Sequence, residues 1–171
     1  MTNFTKNKMQ TYINYNILIT LKLIRMKTEK TYFTIEELTH SDTANEYHIV
    51  NCPNQSQIDN MIRLIKFLNP LREAWGSAIL VNSGFRCTYL NKLVGGVEDS
   101  SHLTGNAVDI VPQNGKFNEF VEFLKEYLKD KVFDQCIIES TKHSKWIHFA
   151  LYKNDGKQRC RIFEMKKEGS E

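Results

Sequence analysis

Ser100-Ser101-His102-Leu103-Thr104-Gly105-Asn106-Ala107-Val108-Asp109-Ile110-Val111 is the stretch that decides how this chain folds. Its last five residues are apolar except for Asp109, a pattern that predicts a buried strand. Ahead of the strand, Gly105 lets the backbone turn so that His102 and Asp109 can face a common point. Imidazole and carboxylate are both ligands for first-row metal ions. A second reading is a capped turn that enters a strand with Asp109 bonded to backbone amides, and the segment alone fits both.

A third donor stands in Trp146-Ile147-His148-Phe149-Ala150, whose alternation is that of a short strand. Trp146, His148 and Ala150 then share one face, with Ile147 and Phe149 on the other. A lone His on a strand is more often a hydrogen-bonded core residue than a ligand. Taken together, His102, Asp109 and His148 make a two-histidine, one-carboxylate set that leaves a fourth tetrahedral position open. Open sites of that kind are catalytic rather than structural.

These residues resemble a known family. Ser100, His102, Gly105, Ala107 and Asp109 in the pattern Ser-x-His-x-x-Gly-x-Ala-x-Asp, followed by Trp146-x-His148, are similar to the zinc D-alanyl-D-alanine carboxypeptidases and L-alanyl-D-glutamate endopeptidases, which cut peptidoglycan peptides. Ser83-Gly84-Phe85-Arg86 is similar to the family's Ser-Gly-Tyr-Arg element, and Leu90-Asn91-Lys92 with Gly95-Gly96 to the usual continuation of that element. The resemblance runs from Tyr32 to Phe163, with four separated elements in the right order.

The resemblance implies one zinc ion on His102, Asp109 and His148, with Arg86 holding a substrate carboxylate or the polarised carbonyl. It also shows a departure. Many members carry an acidic residue three positions before the last zinc His, where this chain has Lys145. Glu139, at the end of the strand-like Gln135–Glu139, is therefore the expected general base, and His143 the second choice. Two functions are consistent with this set. One is a zinc peptidase that hydrolyses a bond in peptidoglycan stem peptides, as a carboxypeptidase or an endolysin-type endopeptidase of a phage or prophage. The other is a catalytically inactive zinc-containing module that binds cell wall or is structural, since the same scaffold resembles the hedgehog signalling domain. Arg86 favours the first, because a structural zinc has no use for a nearby oxyanion partner.

Length and composition agree with a single domain: 171 residues, 41% hydrophobic and 25% charged, describe an ordinary globular chain. The formal charge of +3 is uneven. Residues 1–31 hold six Lys and Arg against one Glu, which leaves seventeen basic and nineteen acidic residues in the remainder. The body thus lacks the basic excess of a nucleic-acid binder, and no nucleic-acid partner is expected. Cys52, Cys87, Cys136 and Cys160 are widely spaced and contain no Cys-x-x-Cys pair, so four free thiols and a reducing cytoplasm are expected. The protein is expected to be a monomer that acts on the cell wall, by an export route the sequence does not specify.

Residues 1–28 are expected to be a disordered or non-native extension. Their apolar run, Tyr12 to Ile24, is broken by Asn14, Asn16 and Lys22 and is too short to span a membrane. The zinc peptidase-like domain is expected over 29–165, with a frayed tail over 166–171. Within it, Thr34 caps a short helix and Ser41-Asp42-Thr43 forms a turn. Residues 56–75 have helical apolar spacing with a break at Pro70. Strands are expected at Ala78–Val81, Ala107–Val111, Gln135–Glu139, Trp146–Leu151 and Gln158–Phe163, with helices over Cys87–Val94 and Lys116–Asp130. Asn154-Asp155-Gly156 signals a hairpin between the last two strands. The order fits an α+β domain with a largely antiparallel sheet and helices on one face.

Overall fold

In the computed structural model, which describes residues 30–167, Thr34 opens helix α1 (Ile35–Thr39) by accepting the Glu37 amide proton on its hydroxyl. Ser41 then caps a second short helix, α2 (Asp42–Glu46), through the Ala44 amide. This helix replaces the expected turn; the Ser hydroxyl satisfies an amide that a turn would leave free, and buried Ala44 gives the helix a core contact.

Helix α3 (Gln55–Trp75) starts with a reciprocal cap, in which Asn54 accepts from the Gln57 amide and the Gln57 side chain accepts from the Asn54 amide. It buries Met61, Leu64, Ile65, Leu68 and Leu71, and ends at Gly76 in the left-handed conformation. The break expected at Pro70 does not occur. Pro70 is exposed, so water can serve the carbonyl it leaves unbonded, while burial of Leu68 and Leu71 on either side holds the helix together.

Strand β1 (Ile79–Ser83), helix α4 (Thr88–Leu93), a 3-10 turn (Ser101–Thr104), strand β2 (Ala107–Pro112) and helix α5 (Phe117–Tyr127) come next, then strands β3 (Gln135–Ser140), β4 (Lys145–Ala150) and β5 (Arg161–Lys166). Among the described residues this makes five α-helices and one five-stranded sheet in the order β1-β2-β4-β3-β5. Every neighbouring pair is antiparallel except β3 with β5, which is parallel. Residues 32–167 form a single α+β domain.

The hairpin expected at Asn154–Gly156 does not form. Gly156 does turn the chain, donating to the Lys153 carbonyl at 2.9 Å, but β4 and β5 are not neighbours. The chain crosses β3 instead, because pairing there gives β5 a full row of backbone partners, from Gln135 with Arg161 to Ser140 with Lys166. The strand accordingly runs to Lys166 instead of ending at Phe163.

The helices cover one face of the sheet. Val108, Ile110, Ile147 and Phe149 point into a core shared with Leu64, Leu68, Phe120 and Leu124, and Phe67 stacks on Phe149 with ring centres 4.9 Å apart. All four cysteines are free, and burial pushes the Cys136 thiol up to about 12. No helix among the described residues is long and apolar enough to cross a membrane. The extension expected over 1–28 lies outside the described residues, as does the tail beyond Lys167.

Candidate metal centre

Strand alternation turns Asp109 and His148 away from the helices. They face one another across the β2–β4 pair, where side chains directly opposite lie about 5 Å apart at Cβ. His102 comes to them from the 3-10 turn, which Gly105 ends in the left-handed conformation at φ 72°. Only glycine fits: a Cβ there would stand 2.7 Å from the Gln57 carbonyl oxygen. The start of α3 holds this turn, since Gln57 Nε2 donates to the Leu103 carbonyl at 2.8 Å and Asn60 Nδ2 to that of Thr104 at 2.7 Å.

The ring of His102 is fixed from behind by a 2.6 Å bond between Nδ1 and the Gly84 carbonyl. A carbonyl can only accept, so Nδ1 carries the proton and Nε2 presents a lone pair. Gly84 is itself pressed against α1, where a Cβ would lie 2.2 Å from the Leu38 carbonyl oxygen.

Three donor atoms meet in front of this ring. Asp109 Oδ1 is 3.2 Å from His102 Nε2 and 2.9 Å from His148 Nδ1, and the two nitrogens are 3.1 Å apart. His102 has its only neutral-ring proton on Gly84, so lone pairs converge on one point and a cation fits there. The set passes a second test, since each residue is held by the fold and the three donor atoms lie within 4.8 Å of one another.

Burial lowers the pKa of His102, against the raising effect of Asp109, which keeps the imidazole in the neutral form a ligand needs. Burial alone would raise Asp109, but the adjacent His102 and His148 rings outweigh it and hold its carboxyl well below the usual range. Arg86 adds a permanent cation, with Nη2 2.6 Å from Asp109 Oδ2, while its Nε donates to Ser83 Oγ at 2.8 Å. The Arg86 amide donates to the His102 carbonyl at 3.2 Å. The guanidinium thus orients a ligand carboxylate as well as facing the cleft.

That cleft, about 340 Å³, is lined by Arg86, His102, Asp109, His148 and Glu139. Glu139 lies two residues along β3 from Ile137, the residue opposite His148, on the same face. Its side chain is almost fully buried, and Lys167 Nζ stands 2.6 Å from Oε2. The contact is an ion pair without hydrogen-bond alignment, since Oε2 receives no hydrogen bond. Lys167 also lies over the Trp146 ring, 5.2 Å from its centre. His143 is not brought to the cluster: it is exposed in the β3–β4 turn, and its backbone amide donates to Thr141 Oγ1. Lys145 alternates onto the other face of β4, beside Phe117 and Lys125, so no cation replaces the missing acid next to the ligands.

Several partners escaped sequence reasoning. Ser83 and the Gly84 carbonyl sit in a segment noticed for Arg86 alone. Arg159, Lys153 and Lys167 line the cleft from positions with no shared spacing; Asp134 stands behind Arg159, and the β3–β5 pairing brings Arg159 and Lys167 to the β3 side of the cleft.

The fold and site define a domain with a two-histidine, one-carboxylate metal centre on the floor of an open cleft. The Peptidase M15 family model matches residues 31–150, more than two thirds of the chain, and the chain belongs to this family of zinc peptidases. No curated protein matches it.

Proposed function

We propose that the protein hydrolyses a peptide bond in peptidoglycan stem peptides, as a carboxypeptidase or an endolysin-type endopeptidase. It acts as a monomer that is made in the cytoplasm and works on the cell wall. Family membership supports a metallopeptidase. The observation that carries the hydrolytic reading is a buried carboxylate, Glu139, lining the same cleft as the three metal ligands and ion-paired with Lys167.

His102, Asp109 and His148 would hold zinc, which when bound supplies a Lewis acid for the substrate carbonyl and for water. Glu139 takes the proton of the attacking water and returns it to the leaving amine. Arg86 has Nε and Nη2 engaged, so its Nη1 edge is what remains for the developing oxyanion or a substrate carboxylate. Ile137, beside His148 on the cleft face, limits water around the reacting carbonyl. The charges nearest the reaction are therefore preset by the fold.

Mass spectrometry of purified muropeptides digested by the zinc-loaded protein tests this. Loss of a terminal Ala marks a carboxypeptidase, and scission after the first L-Ala an endopeptidase. Zinc-dependent binding to cell wall without cleavage of any muropeptide would replace the peptidase by a binding module.

A further inference from the structure

Arg86 is not the only held cation in the cleft. Lys153 and Arg159 line it too, and both lie beyond the residues that the family model matches. The Arg159 guanidinium is set by Asp134, whose side chain is wholly buried. Nε donates to Oδ1 at 2.6 Å and Nη2 to Oδ2 at 2.7 Å, and the Arg159 amide adds a 3.3 Å bond to Oδ1. Such a two-point pair fixes the plane of the guanidinium. Nη1 makes no bond among the described residues, and the side chain is 28% exposed.

The surrounding backbone is built to keep Arg159 there. Cys160, the next residue, is in the left-handed region at φ 51°, a conformation that a side chain disfavours and that persists where the surroundings impose it. Its amide donates to the Phe133 carbonyl at 2.9 Å, beside Asp134. The other end of this wall is tied to the segment that carries His102: Asn154 Nδ2 donates to the Asp99 carbonyl at 2.8 Å, and Thr104 Oγ1 to Asn154 Oδ1 at 2.8 Å. Lys153 stands next to that tie. Among the described residues its ammonium has only a distant partner, Asp155 at 3.9 Å, which Lys157 holds more closely at 3.2 Å.

Position along the cleft gives the pair a use. Gln135, Ile137 and Glu139 line the cleft from one face of β3, with Ile137 opposite His148. At about 3.3 Å per residue, Glu139 and Gln135 lie roughly 7 Å to either side of the metal ligands. Asp134 and Arg159 stand at the Gln135 end and Lys167 at the Glu139 end. An extended peptide centred on the ligands would reach the Arg159 end about two residues from its scissile bond. We infer that Arg159, with Lys153, forms a carboxylate-binding subsite that makes the enzyme select acidic peptides. The inference rests on the peptidase reading for its substrate.

The probe is a dansyl-labelled stem peptide with free glutamyl and terminal carboxylates, compared with the same peptide amidated at both. Stopped-flow anisotropy with the zinc-loaded protein reads binding before turnover, and steady-state kinetics reads KM and kcat. The acid should bind roughly tenfold or more tightly than the amide, the size of one charge-assisted contact, with the difference in KM and not in kcat. Arg159→Gln combined with Asp134→Asn, which leaves no buried charge unpaired, should erase most of the preference at unchanged zinc content. Should that variant fail to fold, Arg159→Lys serves. Its single ammonium stays with Asp134 and has no second edge for the substrate, so the preference should again drop. Equal binding of acid and amide by the wild type, or a full preference in a folded variant, overturns the subsite. Selective binding without cleavage would keep the subsite and sink the peptidase reading, whereas cleavage of both peptides with equal KM would do the reverse.

Discussion

The two faces of strands β2 and β4 are built from alternate residues of the same segments and serve opposite ends. On one, Val108, Ile110, Ile147 and Phe149 are almost wholly buried among helix side chains. On the other, Asp109 is buried and His148 partly so, yet both are polar, and they meet His102 and Arg86. Burying an ionisable group is unfavourable unless it is paired. The helix face therefore supplies stability, and part of it offsets the clustering of charges on the cleft face. Such a cluster persists because each member is bonded and because a cation can complete it.

The widest separation of the two faces should come from Asp109→Ala. Asp109 Oδ1 is the atom both histidines approach, so zinc measured by elemental analysis should fall to near zero and activity should vanish. The zinc-dependent part of the stability should go with it, about 4 kcal/mol for a ligand present at a thousand times its dissociation constant. Retention of one zinc per chain would remove Asp109 from the ligand set. The matching change on the helix face is Phe149→Ala, which should lower unfolding free energy by about 3–5 kcal/mol. Zinc per folded molecule should stay the same, because no cleft atom is touched. Parallel loss of zinc in the folded fraction would show that the faces are not separable.

Within the cleft face, chemistry should separate from metal binding. Glu139→Gln should keep zinc and lose about a hundredfold or more in rate, the usual range for a general base. Arg86→Ala should lose a comparable factor, and should also weaken zinc roughly tenfold or more, because Arg86 orients Asp109. Equal zinc affinity in Arg86→Ala and wild type would mean that the 2.6 Å contact with Asp109 has no bearing on the ligand.

How far the sequence revealed this arrangement depends on how local each feature is. His102, Gly105 and Asp109 lie within eight residues, and strand alternation alone placed His148 on the face it occupies. The core face was equally readable from Val108, Ile110, Ile147 and Phe149. Pro70 misled because propensity carries no information about which side of the helix meets water. The hairpin signal at Asn154–Gly156 was a real turn, but which strand β5 joins depends on long-range pairing with β3. For the same reason Arg159, Asp134 and Lys167 left no trace: their proximity is a product of strand order.

Acid should distinguish the faces in another way, since Val108, Ile110, Ile147 and Phe149 carry no group that titrates. His102 has a folded pKa below the ordinary 6.5 because burial disfavours its charge. Between the two values the unfolded chain binds a proton that the folded one refuses, so stability present above pH 6.5 is lost as pH falls toward the folded value. Asp109, held well below 3.8, adds a second loss as pH drops below 3.8. Melting temperatures of the zinc-free protein, taken downward from about pH 8, should therefore begin to fall below about pH 6.5. His102→Gln should flatten that segment of the curve. An identical slope in the variant would show that another group is responsible.

The smallest effect is expected at His143. Glu139 and His143 are the two candidate bases, and the structure sets them apart: one lines the cleft, buried, and the other is exposed in the β3–β4 turn. An exposed side chain away from packing and bonding normally changes stability by no more than about 0.5 kcal/mol when removed. A barrier change of that size corresponds to a factor of roughly two in kcat/KM. His143→Ala should therefore keep its zinc, its melting temperature and nearly all of its turnover, while Glu139→Gln loses its turnover. The opposite pattern, an inactive His143→Ala beside an active Glu139→Gln, would move the base to His143. It would also require the Thr141–Ser144 turn, now closed by the Thr141 amide donating to the Ser144 carbonyl at 2.8 Å, to fold over the cleft when substrate binds. A pH–rate profile would then show an essential group titrating in the imidazole range in place of a carboxylate.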